Sequence, residues 1–233
     1  MVVDGAVLGV SRGSVVLPRL HGRGPLERVG YEVLRARVFI DFWNFQLGWN
    51  DATGQGVNCD WKQLPRTLVS ATEGLLATTG STTSVTLEET LVHASVNEAR
   101  EKPLQNWLTN FLDQQPSYDV KVRTRRPRAK KVYCRSCQTE TSECSSCGEP
   151  FISNGEKGVD AALVTDLLSL AWQRAYDVAI LVSGDADYVP AVEYVQSQGL
   201  KVINAVWATK GHDLRNACWG SFRLDDHIAQ LTR

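Results

Sequence analysis

The chain has 233 residues, room for one ample domain with an insertion. Apolar residues at 43% and charged residues at 22% exclude a disordered or fibrous chain, and no run approaches the roughly 18 consecutive apolar residues of a membrane span. The net charge of -1 hides a segregation: between Lys121 and Arg135 there are basic residues and no acids, whereas aspartates dominate the motifs elsewhere.

Residues 1–36 show no clean periodicity and are taken as a leader of unknown structure; arginines and glycines scattered among short apolar pairs do not make a secretory signal, so a cytoplasmic, unprocessed chain is expected. From residue 37 the pattern sharpens. Val38, Phe39 and Ile40 read as a short buried strand that ends in a loop at Asp41 and Asn44. A helix is expected over about 60–77, where Leu64, Leu68, Ala71, Leu75 and Leu76 recur near the helical period, and a second strand over about 87–96. Pro103 opens a helix carrying Leu104, Trp107, Leu108, Phe111 and Leu112 on one face, and 118–122 alternates like a third strand that leads into the basic run. After a cysteine segment the α/β pattern resumes: a core helix over about 159–175, a buried strand at 178–182, a helix over about 190–198 closed by Gly199, a strand at 202–206, then a short helix and a last strand or helix in the tail. The alternation predicts an α/β three-layer sandwich with a central, mainly parallel sheet over 37–233.

In such a sheet ligands bind beyond the carboxyl ends of the strands, where this sequence places acids repeatedly. Asp41 follows the first buried strand, Asp185 and Asp187 follow the strand at 178–182, and Asp160 opens the core helix. A lone aspartate after a strand is an ordinary turn or cap residue. Several brought together repel one another unless a cation sits among them, and oxygen-only ligands favour Mg²⁺ or Mn²⁺.

The blocks Val-Phe-Ile-Asp41-x-x-Asn44, Lys157-Gly-Val-Asp160-x5-Asp166, Ser183-Gly184-Asp185-Ala-Asp187-Tyr188-Val-Pro190 and Gly199-x-Lys201-Val202 stand in an order that resembles the NYN domains of the LabA-like group, within the PIN-like superfamily of metal-dependent nucleases. The resemblance implies a nuclease in which Asp41, Asp160, Asp185 and Asp187 hold the metal and Asn44 positions the first strand's loop or the phosphate. Asp166 also matches. Six positions after Asp160 it lies about 120° round the helix axis, so a supporting or structural role is equally open. Ser183 and Gly184 fit a sharp turn, Gly184 allowing close backbone approach and Ser183 orienting a carboxylate or a nucleic-acid phosphate, and Lys157 is a candidate backbone contact.

Cys134-x2-Cys137-x6-Cys144-x2-Cys147 offers four thiolates for a structural zinc, in a ribbon-like insertion over 128–152. Beside it Arg123, Arg125, Arg126, Arg128, Lys130 and Lys131 read as a clamp for a nucleic-acid backbone, with binding that weakens steeply in salt. A docking surface for a protein is the competing use of the insertion. Trp43 and Trp49 are candidates for base stacking, against the ordinary role of tryptophan in cores; His93, His212 and His227 lack metal-ligand spacing. The leading expectation is therefore a metal-dependent endonuclease acting on nucleic acid, RNA being favoured by the resemblance. A non-catalytic RNA- or protein-binding module is the alternative. A Toprim-like enzyme is a weaker one, because the first strand lacks the glutamate that fold requires.

Overall fold

The computed structural model describes residues 32–80, 83–125, 128–153 and 158–233. A six-stranded sheet, every pairing parallel, forms the centre in the order β10-β9-β8-β1-β2-β3. Its strands are β1 (Glu32–Asp41), β2 (Thr83–Asn97), β3 (Tyr118–Arg125), β8 (Val178–Val182), β9 (Lys201–Val206) and β10 (Gly220–Arg223). From β1 the chain winds outward through β2 to β3, then returns to the other side of β1 and winds through β8 and β9 to β10. The order therefore reverses between β1 and β8. That reversal opens a crevice at the carboxyl edge of the sheet, because the connections on its two sides leave in opposite directions.

Both faces are covered, which is why the central strands are apolar throughout: Val38, Phe39, Ile40 and all of Val178–Val182 are at most 1% exposed. On one face α1 (Phe42–Thr53), α2 (Leu64–Ala77) and α3 (Lys102–Trp107) pack on Val38, Ile40, Ile180 and Val182. On the other, α4 (Val159–Trp172), α5 (Val189–Ser197) and α6 (His212–Ala217) cover Phe39, Leu91 and Leu181. A final short helix, α7 (Ile228–Leu231), returns to the first face through Leu231. Alternate residues of one strand thus feed two cores. No helix among the described residues is long and apolar enough to cross a membrane.

Several elements differ from the sequence reading. The first strand is ten residues long and takes in residues 32–36, which were expected to belong to the leader; Leu34 and Ala36 are buried in its core. Instead of a loop after Asp41 there is helix α1, whose buried Phe42, Phe45 and Trp49 recur at helical spacing. Aromatics and a central Gly48 give that stretch poor intrinsic helix propensity, and burial of its aromatic face overrides it. The helix opened by Pro103 is α-helical only to Trp107. Leu108–Leu112 then winds as a π-helix, marked by the Asp113 N–H donating five residues back to the Leu108 carbonyl. Helix α4 has one row of buried residues, Val159, Leu163, Leu167 and Ala171, and ends in a Trp172 that is 78% exposed, so it covers the sheet without being enclosed.

Four two-residue strands build the insertion: β4 (Arg128–Ala129) pairs with β7 (Ile152–Ser153), and β5 (Val132–Tyr133) with β6 (Glu140–Thr141). It buries almost nothing. Val132, Tyr133 and Ile152 are 42%, 54% and 52% exposed, so apolar packing cannot be what holds it.

Candidate active site at the carboxyl edge of the sheet

Asp41 ends β1 at the reversal of strand order and is 8% exposed. Its Oδ1 accepts the Asn44 N–H at 3.2 Å and so caps α1, tying the carboxylate to the helix start. Because β1 and β8 pair in register at Ile40 and Val182, Ser183 emerges beside Asp41, with its Oγ 3.4 Å from Asp41 Oδ2. The same Oγ accepts the Asp185 N–H at 3.2 Å, while Asn44 Oδ1 accepts the Gly184 N–H at 2.9 Å. Buried Asn204 on β9 donates to the carbonyls of Leu181 and Ser183 at 3.0 and 2.9 Å. The loop after β8 is therefore fixed from three sides. Asp185 caps the 3-10 turn Ala186–Tyr188, and its Oδ1 accepts the Asp187 N–H at 2.9 Å.

That turn aims Tyr188 inward, and its hydroxyl lies 3.1 Å from Asp160 Oδ1 and 3.4 Å from Asp41 Oδ2. Burial first, then the neighbouring Asp41 and Asp160, then Asp185, push the Tyr188 phenol well above its ordinary range, so it stays protonated and donates. Tyr188 had no role in the sequence reading. Its signals were its place in the Ser183-to-Pro190 block and one turn after Asp185. Asp160 reaches the hydroxyl from the first turn of α4, where a carboxylate is favoured by the helix dipole.

The remaining acids sit differently. Asp187 is on the exposed side of its turn. Asp166 faces β2 and β3, taking a 2.7 Å hydrogen bond from Lys121 Nζ and lying 3.2 Å from Nε2 of His93. His93 is 1% exposed, and its pKa is pushed down to about 4, by burial above all, against the pull of Asp166. Arg123 is exposed on β3 and reaches Gly158, at the start of α4, passing 3.9 Å from where a Cβ on that glycine would stand. Arg125 bonds Glu101 at 2.6 Å and lies over the Trp43 ring. Arg128, Lys130 and Lys131 are exposed on the insertion, Lys131 pairing with Glu140. Arg126 and Lys157 lie outside the described residues. Trp49 is fully buried, which removes it as a stacking surface, since a base cannot reach it.

A phenol carries one hydrogen, so Tyr188 can donate to only one of Asp41 and Asp160 at a time. Two carboxylates, Asp41 and Asp160, meeting on one hydroxyl offer oxygen donors of the kind hard cations take. Among the described residues no three His, Cys, Asp or Glu side chains close on a common point. Mg²⁺ keeps several waters and is held by one or two carboxylates together with substrate phosphates, so the Asp41 and Asp160 pair fits it.

The two cysteine turns repeat one geometry. In each, the N–H four residues after the first cysteine donates to that cysteine's carbonyl: Gln138 to Cys134, and Gly148 to Cys144. Gln138 and Gly148 both adopt the left-handed conformation. Hydrogen bonds from Thr139 hold the Cys137 thiol down to about 7, and backbone N–H groups of Ser146 and Cys147 lower that of Cys144. Such turns present thiolates as zinc ligands do, although among the described residues the four sulfurs are not gathered at one centre.

The chain matches the model of the NYN domain over residues 35–225. A stretch of 47 residues is 47% identical to the uncharacterised protein y4oD of Sinorhizobium fredii, covering 20% of this chain and 22% of that protein, so the match spans about a fifth of that relative's length. Among solved structures, the protein of unknown function VPA0982 from Vibrio parahaemolyticus aligns over 87% of this chain and 97% of its own, with 16% identity and a TM-score of 0.47. With the family match running from β1 past β10, and Asp41 and Asp160 of the NYN blocks meeting at the reversal of the sheet, the chain belongs to the NYN domain family, within the PIN-like nuclease superfamily.

Proposed function

We propose that this protein is a divalent-metal-dependent endonuclease that hydrolyses RNA phosphodiester bonds in the crevice between β1 and β8. The observation that carries the reading is the meeting of Asp41 and Asp160 on the Tyr188 hydroxyl, with Asp185 held next to them by Ser183. Asp41 and Asp160 would hold Mg²⁺ or Mn²⁺ together with water and substrate phosphate, with Asp185 on the adjoining loop and Asp187 at the rim. When bound, the ion neutralises the scissile phosphate and lowers the pKa of its water. The chain's own residues supply the positioning: Asn44 and Asn204 fix the loop that carries Asp185, and Tyr188 keeps a proton between Asp41 and Asp160. Arg123 and the exposed Arg128 and Lys130 supply positive charge for the strand's phosphates on the β3 side. Asp166, engaged by Lys121, holds α4 against the sheet, and through α4 it positions Asp160.

The test is incubation of the full chain with labelled RNA and DNA in Mg²⁺, in Mn²⁺ and in EDTA. Cleavage of RNA with either metal and none in EDTA is expected. Cleavage that persists in EDTA, or intact RNA under every condition, would sink the reading. The second outcome would leave a module that binds RNA or a protein without cutting, a use favoured by the exposed Val132, Tyr133 and Ile152 of the insertion.

The four cysteines would hold one structural zinc. Metal analysis of purified protein is expected to return one zinc per chain, lost on Cys137→Ser, with the thermal transition of the sheet domain retained because the insertion shares so little of its core. Zinc content unchanged in that variant would remove the assignment.

A further inference from the structure

On the face of the sheet covered by α1, at the residues that follow Asp41, lies a cleft of about 490 Å³ walled by aromatic rings. That volume lies within the roughly 300–1,000 Å³ of small-molecule-sized sites. Its wall is a row of rings in contact. Phe42 stacks on Trp61 at 5.6 Å, Trp61 meets Trp107 edge-on at 5.6 Å, and Trp107 lies nearly parallel to Phe111 at 6.2 Å and 25°. Phe42 and Trp61 are buried and fixed, whereas Trp107 is half-buried and Phe111 is 36% exposed.

The π-helical turn gives the outer rings their setting. It buries Leu108 and Leu112 in the sheet core and leaves Trp107 and Phe111 at the cleft, and widened turns of this kind recur at functional sites. The other wall is Trp43, two residues after Asp41. Its indole N–H is tied to the Ser95 carbonyl at 2.6 Å, so the ring is held in place. Two cations lie on its rings: the Arg125 guanidinium, which also pairs with Glu101, is 5.1 Å from the Trp43 ring, and Lys62 Nζ, in a lining that also holds Asp60, is 5.4 Å from Phe111. Flat apolar surfaces flanked by cations suit an aromatic base on an anionic backbone, and the cleft begins at Phe42 and Trp43, the two residues that follow Asp41.

We infer that this cleft is a base-stacking subsite for single-stranded RNA, which receives an unpaired base close to the scissile phosphate and makes the enzyme selective for single strands. This inference rests on the nuclease reading for its substrate, but its test does not require cleavage. A duplex keeps its bases inside the helix and cannot present one to the cleft.

The probes are a short fluorescent single-stranded RNA, the same strand with one abasic position moved along it, and its duplex, titrated against the full chain in EDTA. Trp107→Ala is expected to weaken single-strand binding about 5- to 150-fold, the range for loss of one stacked base, and Trp107→Phe to restore most of it. Duplex binding should not change. One abasic position should weaken wild-type binding, with no further effect in Trp107→Ala. That probe serves even if the alanine variant fails to fold. Equal binding of every abasic strand by the wild type, or an equal loss for strand and duplex in Trp107→Ala, would overturn the subsite, the cleft then serving another occupant such as a peptide. If RNA stays intact in Mg²⁺ and in Mn²⁺ while the abasic pattern appears, the nuclease reading fails and the subsite stands. Metal-dependent cleavage without the pattern means the reverse.

Discussion

Replacing Asp185 by Asn is expected to lower metal-dependent RNA cleavage about 10²- to 10³-fold, the usual cost of one preorganised electrostatic group. Folding stability should change by less than about 1 kcal/mol, because Asn serves as well as Asp at a helix cap. The substitution keeps the oxygen that accepts the Asp187 N–H, and with it the 3-10 turn that aims Tyr188. What it removes is the negative charge beside Asp41 and Asp160. Single-turnover rates at saturating Mg²⁺, with thermal unfolding measured alongside, separate the two effects. Unchanged turnover would take Asp185 out of the mechanism. An unfolded variant would show that its charge serves the fold instead. Asp41→Asn should behave alike, since it too keeps the cap on α1 while losing the charge.

Gly211→Ala should destabilise the fold by about 2–5 kcal/mol and reduce cleavage at temperatures where the protein remains folded. Gly211 has φ +71°, a conformation that costs a residue with a Cβ about 1–2 kcal/mol. A Cβ there would also stand 2.8 Å from both Gly184 Cα and Val206 Cγ2. Both neighbours are constrained: Val206 is buried at the end of β9, and Gly184 is held by Asn44. Overpacking of this kind costs about 1–3 kcal/mol, and any relief must displace the loop that presents Asp185. Urea unfolding and the cleavage rate report the two consequences. A loss below about 1 kcal/mol with full activity would mean that the two loops approach one another less closely than described.

The sequence by itself determined the alternating α/β plan, because strands buried on both faces must be apolar throughout, and Val38–Ile40 and Val178–Val182 are. It also placed Asp41 and Asp185 at or just beyond the carboxyl ends of strands, since an unpaired carboxylate is costly inside a strand covered on both faces. Helix α1 escaped the reading although Phe42, Phe45 and Trp49 carry its period, because the stretch has weak propensity and is stabilised by tertiary burial. The strand order is set by which crossovers pack, so only the tertiary structure put Asp41 and Ser183 side by side across 142 residues. The same holds for Tyr188, whose link to Asp41 spans 147 residues and whose role depends on burial that local pattern does not encode. Trp43 and Trp49 are alike in sequence. They part company in the fold because a helix turns its faces differently: Trp49 is sealed in the core, and Trp43 stands at the mouth of the aromatic cleft.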